Sequence, residues 1–148
     1  MKRIANYRKL LGLPKTAELK EVKSAYRSLM KEWHPDKFAG NEEEKLQAEE
    51  KSKRIIEAYH FLVSIDPETV AQDKEEYLVT VRTSNIVDFD YKDTALLIKF
   101  ANGCSYEYLG ILKSMYEKFV NADAKARFAK RHIYDTFTYR KMSNSTEE

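Results

Sequence analysis

Two stretches of this sequence repeat apolar residues at helical spacing, and a proline sits just where the first stretch stops. The first puts Leu19, Val22, Tyr26, Leu29, Met30 and Trp33 on one face of a helix. The second does the same with Ser52, Ile55, Ile56, Tyr59, Leu62 and Val63. A one-sided helix is marginal in water until its apolar face is covered. The two stripes are therefore expected to cover each other, as antiparallel helices joined by a loop of about ten residues. Pro35 disfavours helical geometry at His34, so the first of these helices is predicted to end there. Its start is placed near Thr16, as N-cap, with Glu18 in the first turn. Upstream, "YRKLLGL" sets Tyr7, Leu10 and Leu11 on one face of an earlier helix, which Gly12 and Pro14 stop. The segment "FAGNEEE" reads as loop running into the second long helix.

The polar side of the first long helix has a pattern of its own. Lys20, Lys23, Arg27 and Lys31 fall within an arc of roughly 80°, away from the apolar stripe. Four cations on one face are most simply a solvated surface. Here, however, they run directly into His34-Pro35-Asp36-Lys37. The triplet His34-Pro35-Asp36 is open to three readings: a metal ligand, half of an acid–base pair, or a contact site. A metal needs more ligands, and neither His60 nor His132 has neighbours at ligand spacing. An acid–base pair needs a pocket and an orienting group, which a loop beside "KFAGNEEE" does not offer. A contact site suits the residues better, since Pro35 stiffens the turn and Asp36 offers a carboxylate to a partner's arginine.

With these residues in place, "NYRKLLGL…VKSAYRSLMKEWHPDKF…EEKSKRIIEAYHFL" resembles the J domain of the DnaJ family of co-chaperones, over about residues 5–64. The resemblance implies that the His-Pro-Asp loop and the basic face before it dock on a DnaK-type heat-shock ATPase and accelerate its ATP hydrolysis. Those roles would fall on His34, Pro35, Asp36 and Lys37, with Lys20, Lys23, Arg27 and Lys31 steering the encounter. The chain departs from the family in two places. Phe38 stands where a polar residue, often asparagine, is usual, and the region of a fourth, basic helix is the acidic "SIDPETVAQDKEE". The Gly/Phe-rich and Cys-rich regions of full-length DnaJ have no counterpart in these residues, which leaves client handling to the rest of the chain.

Charge divides the sequence further. Residues 1–64 carry 14 basic and 10 acidic side chains, residues 65–77 carry 1 and 5, and residues 78–141 carry 11 and 7. An acidic linker or short helix over 65–77 is thus expected between a helical domain, 1–64, and a second domain, 78–141, with a tail over 142–148. The second domain changes period. "YLVTVRTSNIVDFDY" is rich in β-branched and aromatic residues and reads as strand, and "TALLIKFANGCSYEYLGI" reads as a hairpin turning at Asn102-Gly103. "LKSMYEKFV" and "AKARFAKRHI" read as short helices, and "DTFTYRKM" as a terminal strand or extended tail. The expected fold is an all-helical domain followed by a small α+β domain with an antiparallel hairpin or meander. On "SNIVDFDY", Tyr106-Glu107-Tyr108 and "RHIYDTFTYRKM", residues 79–141 resemble the KTSC domain. Around Phe128 this chain has Ala126 and Lys130 where that family leads one to expect glycine and asparagine. The resemblance implies no established activity, and RNA binding has been suggested for the family.

The hairpin admits two registers. A two-residue turn pairs Lys99 with Tyr106 and Leu97 with Tyr108, placing both tyrosines on a face with a lysine, as a base-stacking platform requires. A three-residue loop is expected to pair Tyr106 with Phe100 and Tyr108 with Ile98, which makes the tyrosines core. Lys99, Tyr106 and Tyr108, with Lys125, Arg127, Lys130 and Arg131 for phosphates, form the candidate contact set for RNA or another partner, weak and salt-sensitive given the small charge excess.

The composition excludes several classes. No apolar run approaches the roughly 20 residues of a membrane helix. The N-terminal "MKRIANYRKLLGL" lacks the core and cleavage site of a signal peptide, and the single cysteine, Cys104, makes no internal disulfide. A cytoplasmic location, no metal and no cofactor are expected. With no Gly-rich phosphate loop or nucleophile elbow, the expectation is a non-enzyme: a J-domain co-chaperone whose second domain directs it to a client or complex. The alternative is an RNA-binding module that recruits a chaperone through its J domain.

Overall fold

A computed structural model describes residues 2–142. They form two compact units, divided between Glu68 and Thr69. The expected tail, from residue 143 on, lies outside the described residues.

The first unit is helical. Helix α1 (Lys2–Leu10) is closed by Gly12, whose φ of +70° lets the Leu13 N–H reach back to the Arg8 carbonyl at 2.8 Å. Helix α2 (Leu19–Trp33) starts later than expected. Its N-cap is Glu18, whose backbone N–H donates to the Glu21 carboxylate at 3.1 Å in a capping box. Thr16 belongs instead to the preceding turn, in which the Ala17 N–H donates to the Pro14 carbonyl. The helix ends at His34, as Pro35 demands. His34 takes the extended conformation, with φ −62° and ψ 132°, and gives its N–H to Met30. A turn of 3-10 helix, Pro35–Phe38, follows, and then α3 (Glu42–Ile65). Asn41 caps α3 by accepting the Glu44 N–H at 3.2 Å, and Glu42, Glu43 and Glu44 complement the dipole of the first turn.

Helices α2 and α3 are antiparallel. Tyr26 stacks on Tyr59 at 3.9 Å, while nearer the loop Trp33 lies under the Lys51 ammonium. The α2 stripe is buried or half-buried throughout. The α3 stripe is wider than expected, because α3 meets α1 as well as α2. Phe61 and Ala58 join Ser52, Ile55 and Leu62 in the core, and the Phe61 ring packs at 4.9 Å on Tyr7 of α1. A short helix, α4 (Pro67–Gln72), comes next. The Asp66 side chain accepts the Glu68 N–H at its start.

The second unit packs helices on one face of a sheet. Helix α5 (Lys74–Thr83) takes in the whole of the stretch "YLVTVRT" that reads as strand. Tertiary packing overrides the β propensity there. Tyr77 and Thr80, one turn apart, are both buried, and Val81 packs against the core beside them, so the period that serves the core is helical. The segment 65–77 is accordingly helical over most of its length, and Tyr77 at its end belongs to the second unit's core.

Strands β1 (Ile86–Lys92), β2 (Ala95–Phe100), β3 (Ser105–Leu109) and β4 (Thr138–Lys141) form an antiparallel meander in the order β1-β2-β3-β4. Helices α6 (Lys113–Asn121) and α7 (Lys125–His132) lie between β3 and β4 in sequence. The β2–β3 loop is Ala101-Asn102-Gly103, closed by the Phe100 N–H on the Cys104 carbonyl at 2.9 Å. This is the longer of the two turns weighed from sequence, but the partners lie two residues from those matched to it. Tyr106 pairs with Ile98 and Tyr108 with Leu96.

One sheet face thus carries Phe89, Tyr91, Leu96, Ile98, Tyr106, Tyr108 and Tyr139 into a core completed by Tyr77, Phe119, Ala129 and Tyr134. Tyr77 stacks on Tyr139 at 3.8 Å, gives its hydroxyl to the Tyr134 carbonyl at 2.9 Å, and meets the Tyr108 hydroxyl at 3.2 Å. Asn102 ties the hairpin to α5: its side-chain NH₂ donates to Thr80 Oγ1 and its backbone N–H to Ser84 Oγ.

Candidate partner-docking site

Helix α2 presents its basic row outward. Lys20, Lys23, Arg27 and Lys31 are all exposed, and among the described residues none of them forms an ion pair. Cations left unpaired along one face keep their field available to an approaching partner. The row leads to the bend at His34-Pro35-Asp36-Lys37. Here the backbone turns sharply because His34 serves both as C-cap of α2 and as N-cap of the 3-10 turn. The His34 Nδ1 accepts the Asp36 N–H at 3.2 Å, and the Lys37 N–H donates to the His34 carbonyl at 3.0 Å. With Nδ1 an acceptor, a neutral imidazole carries its proton on Nε2 and offers it as a donor.

The Asp36 carboxylate is 89% exposed, the His34 side chain 51%, and the two approach to 3.5 Å. Pro35 is half-buried and Lys37 exposed. The bend therefore displays an acceptor carboxylate, an imidazole and a cation on a short, stiff scaffold. Exposed groups of this kind suit contact with another molecule. An acid–base mechanism would need a third group orienting the imidazole from behind and a cavity to hold a substrate. Phe38 and Lys51, absent from the expected docking residues, both bear on the bend through Trp33. No local pattern in the sequence pairs Lys51 with Trp33, because the contact spans the loop between two helices.

The candidate contact set of the second unit is dispersed. Tyr106 and Tyr108 are fully buried, so the stacking platform that the two-residue turn would make is not formed. Lys99 is exposed on the opposite face of its strand, across from Asp88. The reason is parity: the longer loop shifts β3 by one residue against β2 and turns both tyrosines inward. On α7, Arg127, Lys130 and Arg131 are exposed and Lys125 is half-buried. His60 and His132 are exposed, each beside an aromatic ring, Tyr59 and Phe128 respectively. Among the described residues no cluster of histidine, cysteine or acidic side chains is arranged to hold a metal, and no helix is long and apolar enough to cross a membrane.

A helical unit with an antiparallel pair, a basic second helix and an exposed His-Pro-Asp bend has the architecture of a J domain. Comparison with known families agrees: residues 6–71 match the DnaJ domain and residues 82–137 the KTSC domain. The chain thus carries a segment that matches the DnaJ domain, followed by one that matches the KTSC domain. The chain is 49% identical over 63 residues to the chaperone protein DnaJ of Caldicellulosiruptor saccharolyticus, a match covering 43% of this chain and 15% of that protein. The DnaJ homolog subfamily B member 8 of Mus musculus is 46% identical over 59 residues, covering 40% of this chain and 25% of the relative. The chaperone protein DnaJ of Thermotoga maritima is 46% identical over 57 residues, 38% of this chain and 15% of that protein. The chain thus spans a quarter or less of the length of these curated relatives.

Proposed function

We propose that this protein is a J-domain co-chaperone. It docks on a DnaK-type heat-shock ATPase through His34, Pro35, Asp36 and Lys37, with Lys20, Lys23, Arg27 and Lys31 steering the approach, and it stimulates ATP hydrolysis by that partner. The observation that carries this reading is the exposed His-Pro-Asp bend at the end of a cationic helix face that forms no ion pair among the described residues. Its geometry offers a docking partner both a charge-assisted acceptor and a long-range field. The KTSC domain directs the J domain to a client or complex. The test is the ATPase rate of a purified DnaK-type protein as the full chain is added. A saturable rise supports the reading, and an unchanged rate at every concentration refutes it.

A second reading gives the KTSC domain an RNA ligand to which it would bring the chaperone. It draws support from Arg127, Lys130 and Arg131, exposed together on α7. With Tyr106 and Tyr108 inside the core, such binding would rest on phosphate contacts and fall steeply as salt rises. Titration of labelled single-stranded RNA with the full chain at low and physiological salt separates this reading from a protein client.

A further inference from the structure

Two rings close the base of the docking bend. Trp33 is the last residue of α2 and Phe38 the last of the 3-10 turn, so the pair brackets His34-Pro35-Asp36-Lys37. The ring planes are 28° apart and the centroids 6.4 Å apart, and both side chains are half-buried. From α3, the Lys51 ammonium lies 5.5 Å from the centre of the Trp33 ring. The Phe38 carbonyl accepts the Asn41 N–H at 3.1 Å, and Asn41 in turn caps α3. One end of the bend is thereby fixed to α2 and the other to the start of α3. The hydrogen bonds inside the bend include those from the Asp36 and Lys37 N–H groups to His34, all three exposed residues. Exposed bonds of this kind are readily exchanged for water and do not order such a bend unaided.

We infer that the Trp33–Phe38 pair, backed by Lys51, is the device that positions the docking loop. It holds the His34 imidazole and the Asp36 carboxylate in place before a partner arrives. The inference rests on the docking reading above and adds a positioning residue to it. Phe38 acts through the loop it closes, by contact with Trp33. A polar residue at 38 removes the ring from Trp33 and frees one end of the bend, so that the partner must order the loop on binding.

The test compares full-length wild type, Phe38→Asn and Phe38→Tyr in two measurements. The first is the stimulated ATPase rate of a DnaK-type protein against co-chaperone concentration. The second is amide hydrogen exchange over residues 34–38 without any partner. Phe38→Asn is expected to raise the half-maximal concentration roughly three- to tenfold while leaving the maximal rate unchanged. It is also expected to speed exchange at Asp36 and Lys37, and Phe38→Tyr should restore both. Unchanged exchange and an unchanged half-maximal concentration in Phe38→Asn overturn the inference, as does a fallen maximal rate at normal half-maximal concentration. If wild type fails to stimulate at all, the docking reading falls, and the exchange measurement still decides whether Phe38 orders the bend.

Discussion

Tyr106 stands directly opposite Ile98 in the β2–β3 pair, and both side chains are fully buried. The Tyr77 ring meets Tyr106 edge-on at 4.9 Å, so Tyr106 lies between a strand neighbour and α5. Replacing it with alanine opens a cavity and should cost about 3–5 kcal/mol of stability. The Tyr106 hydroxyl, with Thr80 nearby, makes no hydrogen bond of good geometry among the described residues, so a buried polar group is poorly compensated. Tyr106→Phe should therefore be neutral or stabilising. Urea denaturation of the full chain with each variant measures both, and a Tyr106→Ala protein as stable as wild type would contradict the burial.

The tyrosine cluster makes the second unit sensitive to alkali. Burial pushes the hydroxyl of Tyr134 up to about 12 and those of Tyr77 and Tyr108 higher still. A tyrosine whose folded pKa lies above its unfolded value of 10 keeps its proton in the fold when the unfolded chain has lost it. Stability is then fully present below pH ~10 and falls as pH rises above that, by up to ~1.4 kcal/mol per pH unit for each such tyrosine. Tyrosinate absorbance should lag on titration and then rise together with unfolding. A smooth titration of every tyrosine near pH ~10 without unfolding would exclude this behaviour.

At the docking bend, Asp36→Asn keeps the shape of the side chain and removes its charge. With 89% of the carboxylate side chain exposed, stability should stay within about 0.5 kcal/mol of wild type. Stimulation of a DnaK-type ATPase should drop sharply, because removing one member of a desolvated charge pair costs about 2 kcal/mol or more, some thirtyfold in affinity. The readouts are thermal melting and the stimulated ATPase rate. A folded variant that stimulates as wild type does would remove Asp36 from the interface.

The cationic face predicts a kinetic effect. Reversing Lys23 and Arg27 to glutamate should chiefly slow association, and the wild-type rate should itself decline as ionic strength shortens the reach of the field. Stopped-flow or surface-based association rates across a salt series test this. An association rate indifferent to salt and to charge reversal would make the face plain solvated surface.

Much of the candidate site was legible in the sequence because its chemistry is local. Pro35 ends α2 by excluding helical geometry at His34, and the four cations follow from helical spacing alone. The basic row and the exposed loop both stand where those rules put them. The α2 cap was less legible. Thr16 is the better capping side chain, but the turn from Pro14 to Ala17 occupies it, and Glu18 with Glu21 takes over. The ring pair at the base of the bend was visible only as an unusual phenylalanine after His-Pro-Asp-Lys. Its partner Trp33 reads as part of the helix stripe, and Lys51 comes from a different helix.

By itself, then, the sequence determined the helical first unit, its His-Pro-Asp bend and the change to an α+β second unit, since each depends on spacing within a few residues. Tertiary structure decided two things that spacing could not. Residues 77–83 have β-branched character, yet they are helical because Tyr77, Thr80 and Val81 meet the core one turn apart. The face of Tyr106 and Tyr108 turned on whether the loop after Phe100 closes over Ala101-Asn102-Gly103, as the Phe100–Cys104 bond shows it does. Side chains alternate along a strand, so one residue of loop length moves both tyrosines from a ligand surface to the core.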